Sequence, residues 1–229
     1  MGQTARTTKL LLNLSARERA GANREKRQYL DATVALLDAA RRFYLDFFLA
    51  HPEKLSERVE VISKQTGEVT EALLSADKLL TWAEFQTVET DAHPDPLPAW
   101  NFSQAFPDFP NRYRRSVIKD CLGKARGYLT TLEKWRVSGK KKGKPGLPTA
   151  ANFPTLYAGT FALDLDALDL RKSFVRLKVY TGTVWVWVHY PTCYNRYFEE
   201  RRSEEGWEQE SPKLVLGKRA AAIHFLQTK

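Results

Sequence analysis

Phe174-Val-Arg-Leu-Lys-Val179, Tyr180-Thr-Gly-Thr183 and Val184-Trp-Val-Trp-Val-His-Tyr190 make up the stretch on which the fold turns. Successive side chains on a strand point to opposite faces. Apolar residues at alternate positions on both sides of a short turn with one glycine therefore predict a β-hairpin. In its second strand Trp185 and Trp187 share one face, while Val184, Val186, Val188 and Tyr190 share the other. The two tryptophans either fill the core, where aromatics dominate buried area, or stand on the solvent face, where they could stack bases.

Outward from this hairpin the period of two recurs. Phe161, Leu163 and Leu165 alternate with Ala162, Asp164 and Asp166, and Leu214 to Leu216 and Ala222 to Leu226 flank Gly217-Lys218 as a second hairpin. Near the start, Leu10, Leu12 and Leu14 read as one short strand. Between these ends the period is helical. Leu30, Val34, Leu37, Tyr44 and Phe48 predict a long helix that begins near Asn23 and stops before Pro52, with Ser15 and Glu18 spaced as a capping box ahead of it. Residues 53–85 read as two or three short helices split at Thr66-Gly67. The five prolines of 91–110 predict a loop or linker, because proline removes a donor and clashes with the preceding turn. Arg112 to Arg136 reads as a second long helix that buries Ile118, Leu122, Ala125, Leu129 and Leu132. The class expected is α+β.

An apolar fraction of 43 % and an aromatic fraction of 12 % supply enough surface to bury for a folded chain. No run reaches the eighteen apolar residues of a membrane span, so a soluble, cytoplasmic protein with no membrane partner is expected. Cys121 and Cys193 are the two cysteines, and they form no CxxC pair; a zinc ribbon and a disulfide framework are both excluded for this chain alone.

The formal charge of +9 is concentrated. Residues 108–148 hold twelve bases against three acids, so the rest of the chain is balanced. Arg115, Lys119 and Arg126 lie along one side of the second long helix, with Arg112 and Arg114 at its start. The glycine-rich loop that follows carries Lys140, Lys141, Lys142 and Lys144. A concentrated positive potential favours polyanions, since each neutralised phosphate releases condensed counterions. These nine cations are the candidate phosphate contacts, with Trp185, Trp187 and Tyr190 as candidates for stacking. A solvated charged helix face is the competing explanation.

Catalytic templates are missing. His51, His93, His189 and His224 show no HxxxH or HxH spacing, and there is no Walker loop, dinucleotide fingerprint or GxSxG elbow. Asp164, Asp166 and Asp169 have a spacing that a divalent metal could use, but a two-metal nuclease needs carboxylates from other strands as well. No catalytic residue, metal ligand or cofactor site is therefore expected in this chain.

Lys144-Pro-Gly-Leu-Pro148, Asn152-Phe-Pro-Thr-Leu-Tyr-Ala-Gly-Thr-Phe161, Ser173-Phe-Val-Arg-Leu-Lys178, Trp185-Val-Trp187, Ser211-Pro-Lys-Leu-Val-Leu216 and Ala222-Ile-His-Phe-Leu226 together carry a family likeness. With them the chain resembles the N-terminal half of TnpB-type transposon proteins and type V CRISPR effectors. The resemblance implies a small, barrel-like wedge domain interrupted by an inserted helical recognition lobe. On that plan residues 1–14 supply the first strand of the wedge, 15–138 the lobe, 139–160 a basic loop or linker, and 161–229 the remaining strands.

The partners implied are a guide RNA and target DNA. The aspartates, the later glutamate and the four-cysteine ribbon of that family's RuvC nuclease are absent. The resemblance thus implies a non-catalytic recognition module that works with a separate RuvC-containing subunit or second copy, or a nuclease-lacking relative. Magnesium would enter only with such a partner. Two other functions stay open: a subunit of a split endonuclease whose active site is completed in trans, and a DNA-binding regulator that needs no guide.

Overall fold

A computed structural model describes residues 5–14, 20–62, 67–91, 94–140, 143–151, 153–164, 173–193, 197–198, 200, 208–218 and 220–228, with the backbone alone for 20–24 and 209. The elements run β1 (Ala5–Leu12), α1 (Ala20–Ala50), α2 (Pro52–Leu55), β2 (Arg58–Ile62), β3 (Val69–Leu73), α3 (Ala76–Thr87), a 3-10 turn (Pro98–Trp100), α4 (Phe102–Ala105) and α5 (Asn111–Val137). After these come β4 (Phe161–Asp164), β5 (Phe174–Tyr180), β6 (Trp185–Pro191), β7 (Glu208–Gln209), β8 (Lys213–Leu216) and β9 (Ala221–Thr228). The chain is α+β and divides into two compact units. One comprises residues 1–37, 110–116 and 152–229, the other 38–109 and 117–151. Helices α1 and α5 each supply residues to both.

The first unit holds the strands. β1 pairs antiparallel with β9 over eight residues, from Ala5 opposite Thr228 to Leu12 opposite Ala221, so the first and last strands of the chain are neighbours. β7 and β8 follow one another along the other edge of β9. A second sheet has the order β4-β5-β6. Isolated bridges join Leu12 to Thr192, Thr155 to Lys213 and Ala158 to Phe161. Where a barrel-like unit is expected, the strands form several small sheets, and among the described residues they make no closed barrel. Pro191 and Pro212 stand beside the first two bridges and have no N–H to extend a ladder. The alternation is obeyed within the strands, with Leu10 and Leu12 buried and Leu11 46 % exposed between them.

The first turns of α1 are tied to the β5-β6 hairpin. The Thr33 hydroxyl accepts the Tyr180 N–H at 2.8 Å and donates to the Tyr29 carbonyl. The Tyr190 hydroxyl donates to the Lys26 carbonyl at 3.1 Å. Val175, Leu177, Val179 and Tyr190 are fully buried on that side of the hairpin.

The second unit is built on aromatic packing. Phe43 makes edge contacts with Tyr44, Trp100, Phe102 and Phe106 at 5.3–5.9 Å between ring centres. Phe102 stacks on Phe106 at 4.7 Å. Residues 98–110 of the proline-rich segment are thus held by their aromatics, and they include the short helix α4, whose Asn101 side chain caps Gln104 N–H. Of the two or three short helices expected in 53–85, α2 and α3 bracket a pair of strands that the helical expectation did not include. β2 and β3 pair antiparallel, Arg58 opposite Leu73 and Ile62 opposite Val69. Val59 and Val61 alternate with charged residues there, and Gly67 takes a left-handed φ of 72° that side chains disfavour. The capping box at Ser15 and Glu18 lies outside the described residues.

Candidate nucleic-acid interface

The cations of 108–148 separate into those held by other parts of the fold and those left at the surface. In the second unit the Arg126 guanidinium donates to the Leu74 carbonyl at 2.6 Å and to the Leu55 carbonyl at 3.3 Å. Leu55 is the last residue of α2 and Leu74 follows β3, so Arg126 caps the ends of two elements. Partial burial lowers its pKa. Lys124 donates to the carbonyls of Thr149 and Ala151 at 2.8 and 3.3 Å, which fastens the end of the glycine-rich loop to α5. Lys119 pairs with Asp77 at 3.2 Å, an exposed pair worth about 1 kcal/mol or less.

At the end of α5 the geometry is different. Gly139 N–H donates to the Arg136 carbonyl and Lys140 N–H to that of Trp135, the two bonds of a Schellman cap. Gly139 and Lys140 both have left-handed φ, 72° and 61°, and the chain leaves the helix abruptly. Lys134, Lys140 and Lys144 are exposed around this turn, with the Lys140 ammonium 5.7 Å from the Trp135 ring centre. Lys141 and Lys142 lie outside the described residues.

The first turn of α5 belongs to the first unit and carries Arg112, Arg114 and Arg115. Arg112 and Arg115 are exposed, and Arg114 donates to the Asn111 side chain at 3.2 Å. Between them Tyr113 is buried; its hydroxyl donates to the Lys178 carbonyl at 2.9 Å, and its ring lies 5.4 Å from that of Trp185. Burial pushes the Tyr113 phenol well above its ordinary pKa. These contacts fix Tyr113, and with it the start of α5, against the β5-β6 hairpin.

The stacking candidates differ from one another. Trp187 is 46 % exposed. Trp185 is half-buried between Tyr113 and Tyr180. Tyr190 is fully buried with its hydroxyl bonded to α1, so it offers no ring face to a base, and that candidate is corrected. Its position on the face opposite the tryptophans, legible in the alternation, is the reason.

Two further features were not singled out from the sequence. On β9, His224 stands opposite Lys9 of β1 and Lys213 of β8, three basic residues in a row across one sheet. Burial, and then the Lys9 charge, lowers the His224 pKa. In the second unit a groove of about 430 Å³ lies between α1 and residues 147–151, with Asp38, Asp46 and Arg42 on its wall. Its mixed charge gives a polyanion no advantage. Among the described residues no group of three or more His, Cys, Asp and Glu side chains is placed to hold a metal, and Asp166 and Asp169 lie outside them. Also among the described residues, no helix is long and apolar enough to cross a membrane.

The described residues define an α+β protein with exposed basic groups. Residues 15–181 match the profile of the Aq_aa04 family, and the chain belongs to that family. A relative from Aquifex aeolicus (strain VF5), named uncharacterized protein aq_aa04, is 30 % identical over 164 residues. That alignment covers 69 % of this chain and 88 % of the relative.

Proposed function

We propose that this protein binds nucleic acid through its phosphate backbone, as the non-catalytic guide-RNA and target-DNA recognition part of an RNA-guided system. The observation that carries the proposal is the position of the charge surplus. Arg112, Arg115, Lys134, Lys140 and Lys144, all from one 41-residue stretch with nine net positive charges, are exposed and not folded into the core. A backbone of phosphates is the ligand for which such a surplus is worth most, because binding releases counterions.

The pairing of β1 with β9 supports the more specific part of the proposal. It makes the helical residues between them an insertion into a strand-built unit, the layout that the resemblance to TnpB-type proteins implies. On this proposal the strand unit is the wedge and the helical unit the recognition lobe. Sequence choice comes from base pairing by the guide, and a RuvC-bearing partner, with its magnesium, performs any cleavage.

The test is extraction of the native complex and sequencing of the RNA that accompanies it. A discrete, structured RNA species is the expected result. Absence of any such species overturns the guided function and leaves a guide-independent binder.

A further inference from the structure

The hairpin register places a basic and aromatic surface where no single strand reveals it. Phe174, Arg176, Lys178 and Tyr180 alternate with the buried Val175, Leu177 and Val179, so they share the outer face of β5. Across the ladder, Arg176 stands opposite His189 and Lys178 opposite Trp187. The inner face of this hairpin is bonded to α1 through Tyr180 N–H and the Tyr190 hydroxyl, so the outer face points away from that helix. At one end, the Tyr113 ring of α5 covers Trp185. At the other end the face is open, with Trp187 46 % and Phe174 38 % exposed and the exposed His189 ring edge-on to Phe174 at 6.2 Å. Asp164 of β4 lies opposite Phe174 at the far corner.

We infer that the open end of this face is a stacking platform for unpaired bases of single-stranded RNA. Exposed rings cost hydration unless something covers them, and here they are interleaved with Arg176 and Lys178, which select an anionic cover over an apolar one. A base offers a flat π-face to Trp187 and its phosphate offers charge to Arg176 and Lys178, the combination that recurs in single-strand binding.

This inference rests on the nucleic-acid proposal above, and the test separates the two. Full-length protein is titrated with a labelled twelve-nucleotide single-stranded RNA and with the corresponding RNA duplex. The variants are Trp187→Ala, Trp187→Phe, Arg176→Ala and, for the loop, Lys140→Glu with Lys144→Glu. Expected is a loss of about ten-fold or more in single-strand affinity for Trp187→Ala, near-complete retention for Trp187→Phe, and no change in duplex affinity for either.

Ultraviolet crosslinking of the wild-type protein should join the single strand to a peptide containing Trp187 or Phe174, which keeps the test valid if an alanine variant folds poorly. Unchanged single-strand binding by Trp187→Ala, or an equal loss on the duplex, overturns the platform. If the loop variant still loses affinity in that case, the nucleic-acid proposal stands and the platform alone fails. Absence of all binding by the wild-type protein overturns both.

Discussion

The guanidinium of Arg41, 2 % exposed, lies 3.2 Å from the carboxylate of Asp120, joining α1 to α5 inside the helical unit. Asp38 pairs with the same guanidinium one helical turn away. A buried cation is tolerable only while it is paired and hydrogen bonded. Removing Asp120 therefore does more than delete one contact.

Asp120→Ala is expected to destabilise the protein by about 2 kcal/mol, below the full cost of an orphaned buried charge because Asp38 remains. Arg41→Met combined with Asp120→Leu should lose less than the two single changes together, since neither member of that pair is then left charged without the other, and Asp38 keeps a third of its side chain in solvent. Urea denaturation of Asp120→Ala, of Arg41→Met and Asp120→Leu singly, and of the double variant measures both statements. Additive losses would show that the two side chains do not act as a pair.

Arg126→Met is expected to cost about 2 kcal/mol of stability, because the Leu55 and Leu74 carbonyls lose a charged donor. Its effect on the salt dependence of RNA binding should be negligible, in contrast to changes at Lys140 and Lys144. Thermal unfolding and fluorescence titration on the same preparation distinguish the two roles. A flattened salt slope for Arg126→Met with unchanged stability would return this arginine to the phosphate-binding set.

Cys121 is buried and its thiol is positioned to donate to the Arg41 carbonyl at 3.2 Å. Burial, reinforced by the Asp120 charge, pushes its pKa up to about 12. The thiolate is the reactive form, so iodoacetamide at pH 8.5 should modify the half-buried Cys193 well before Cys121 in the native protein, as peptide mass spectrometry would record. A raised thiol pKa stabilises the fold fully below the ordinary thiol value of about 8.5. That contribution is lost as pH climbs toward about 12.

His224 has the opposite sign. Its lowered pKa means that the unfolded chain takes up the proton more readily, so the fold is favoured above the ordinary histidine value of about 6.5 and loses that advantage as pH falls below it. His224→Gln should flatten the decline in urea midpoint between pH 7.5 and pH 5. An unchanged decline would mean that other groups govern the acid limb.

Much of this fold is written in local alternation. The β5-β6 hairpin was bounded to within a residue or two because its inner positions are uniformly apolar, and the extents of α1 and α5 followed from their helical spacing. The β2-β3 hairpin was missed: its strands are largely exposed. Its short Val59, Val61 alternation is outweighed by the nearby leucines, of which Leu79 and Leu80 belong to the next helix. Site residues were less legible for a different reason. Arg126 and Lys119 share a helix face with Arg115 in sequence, but only tertiary structure supplies the Leu55, Leu74 and Asp77 groups that engage them. Arg176 and Lys178 gain meaning from the residues opposite them, and cross-strand register is not visible along one strand.

The central claim is that the exposed cations of 108–148 grip phosphates, and the salt dependence of affinity tests it most directly. Log affinity of the full-length protein for single-stranded RNA, plotted against log salt, should fall linearly, and Lys140→Glu with Lys144→Glu should reduce the slope by about 1.4, the share of two single-strand phosphate contacts. An identical slope for the wild type and this double variant would contradict the assignment of the loop to the phosphate backbone.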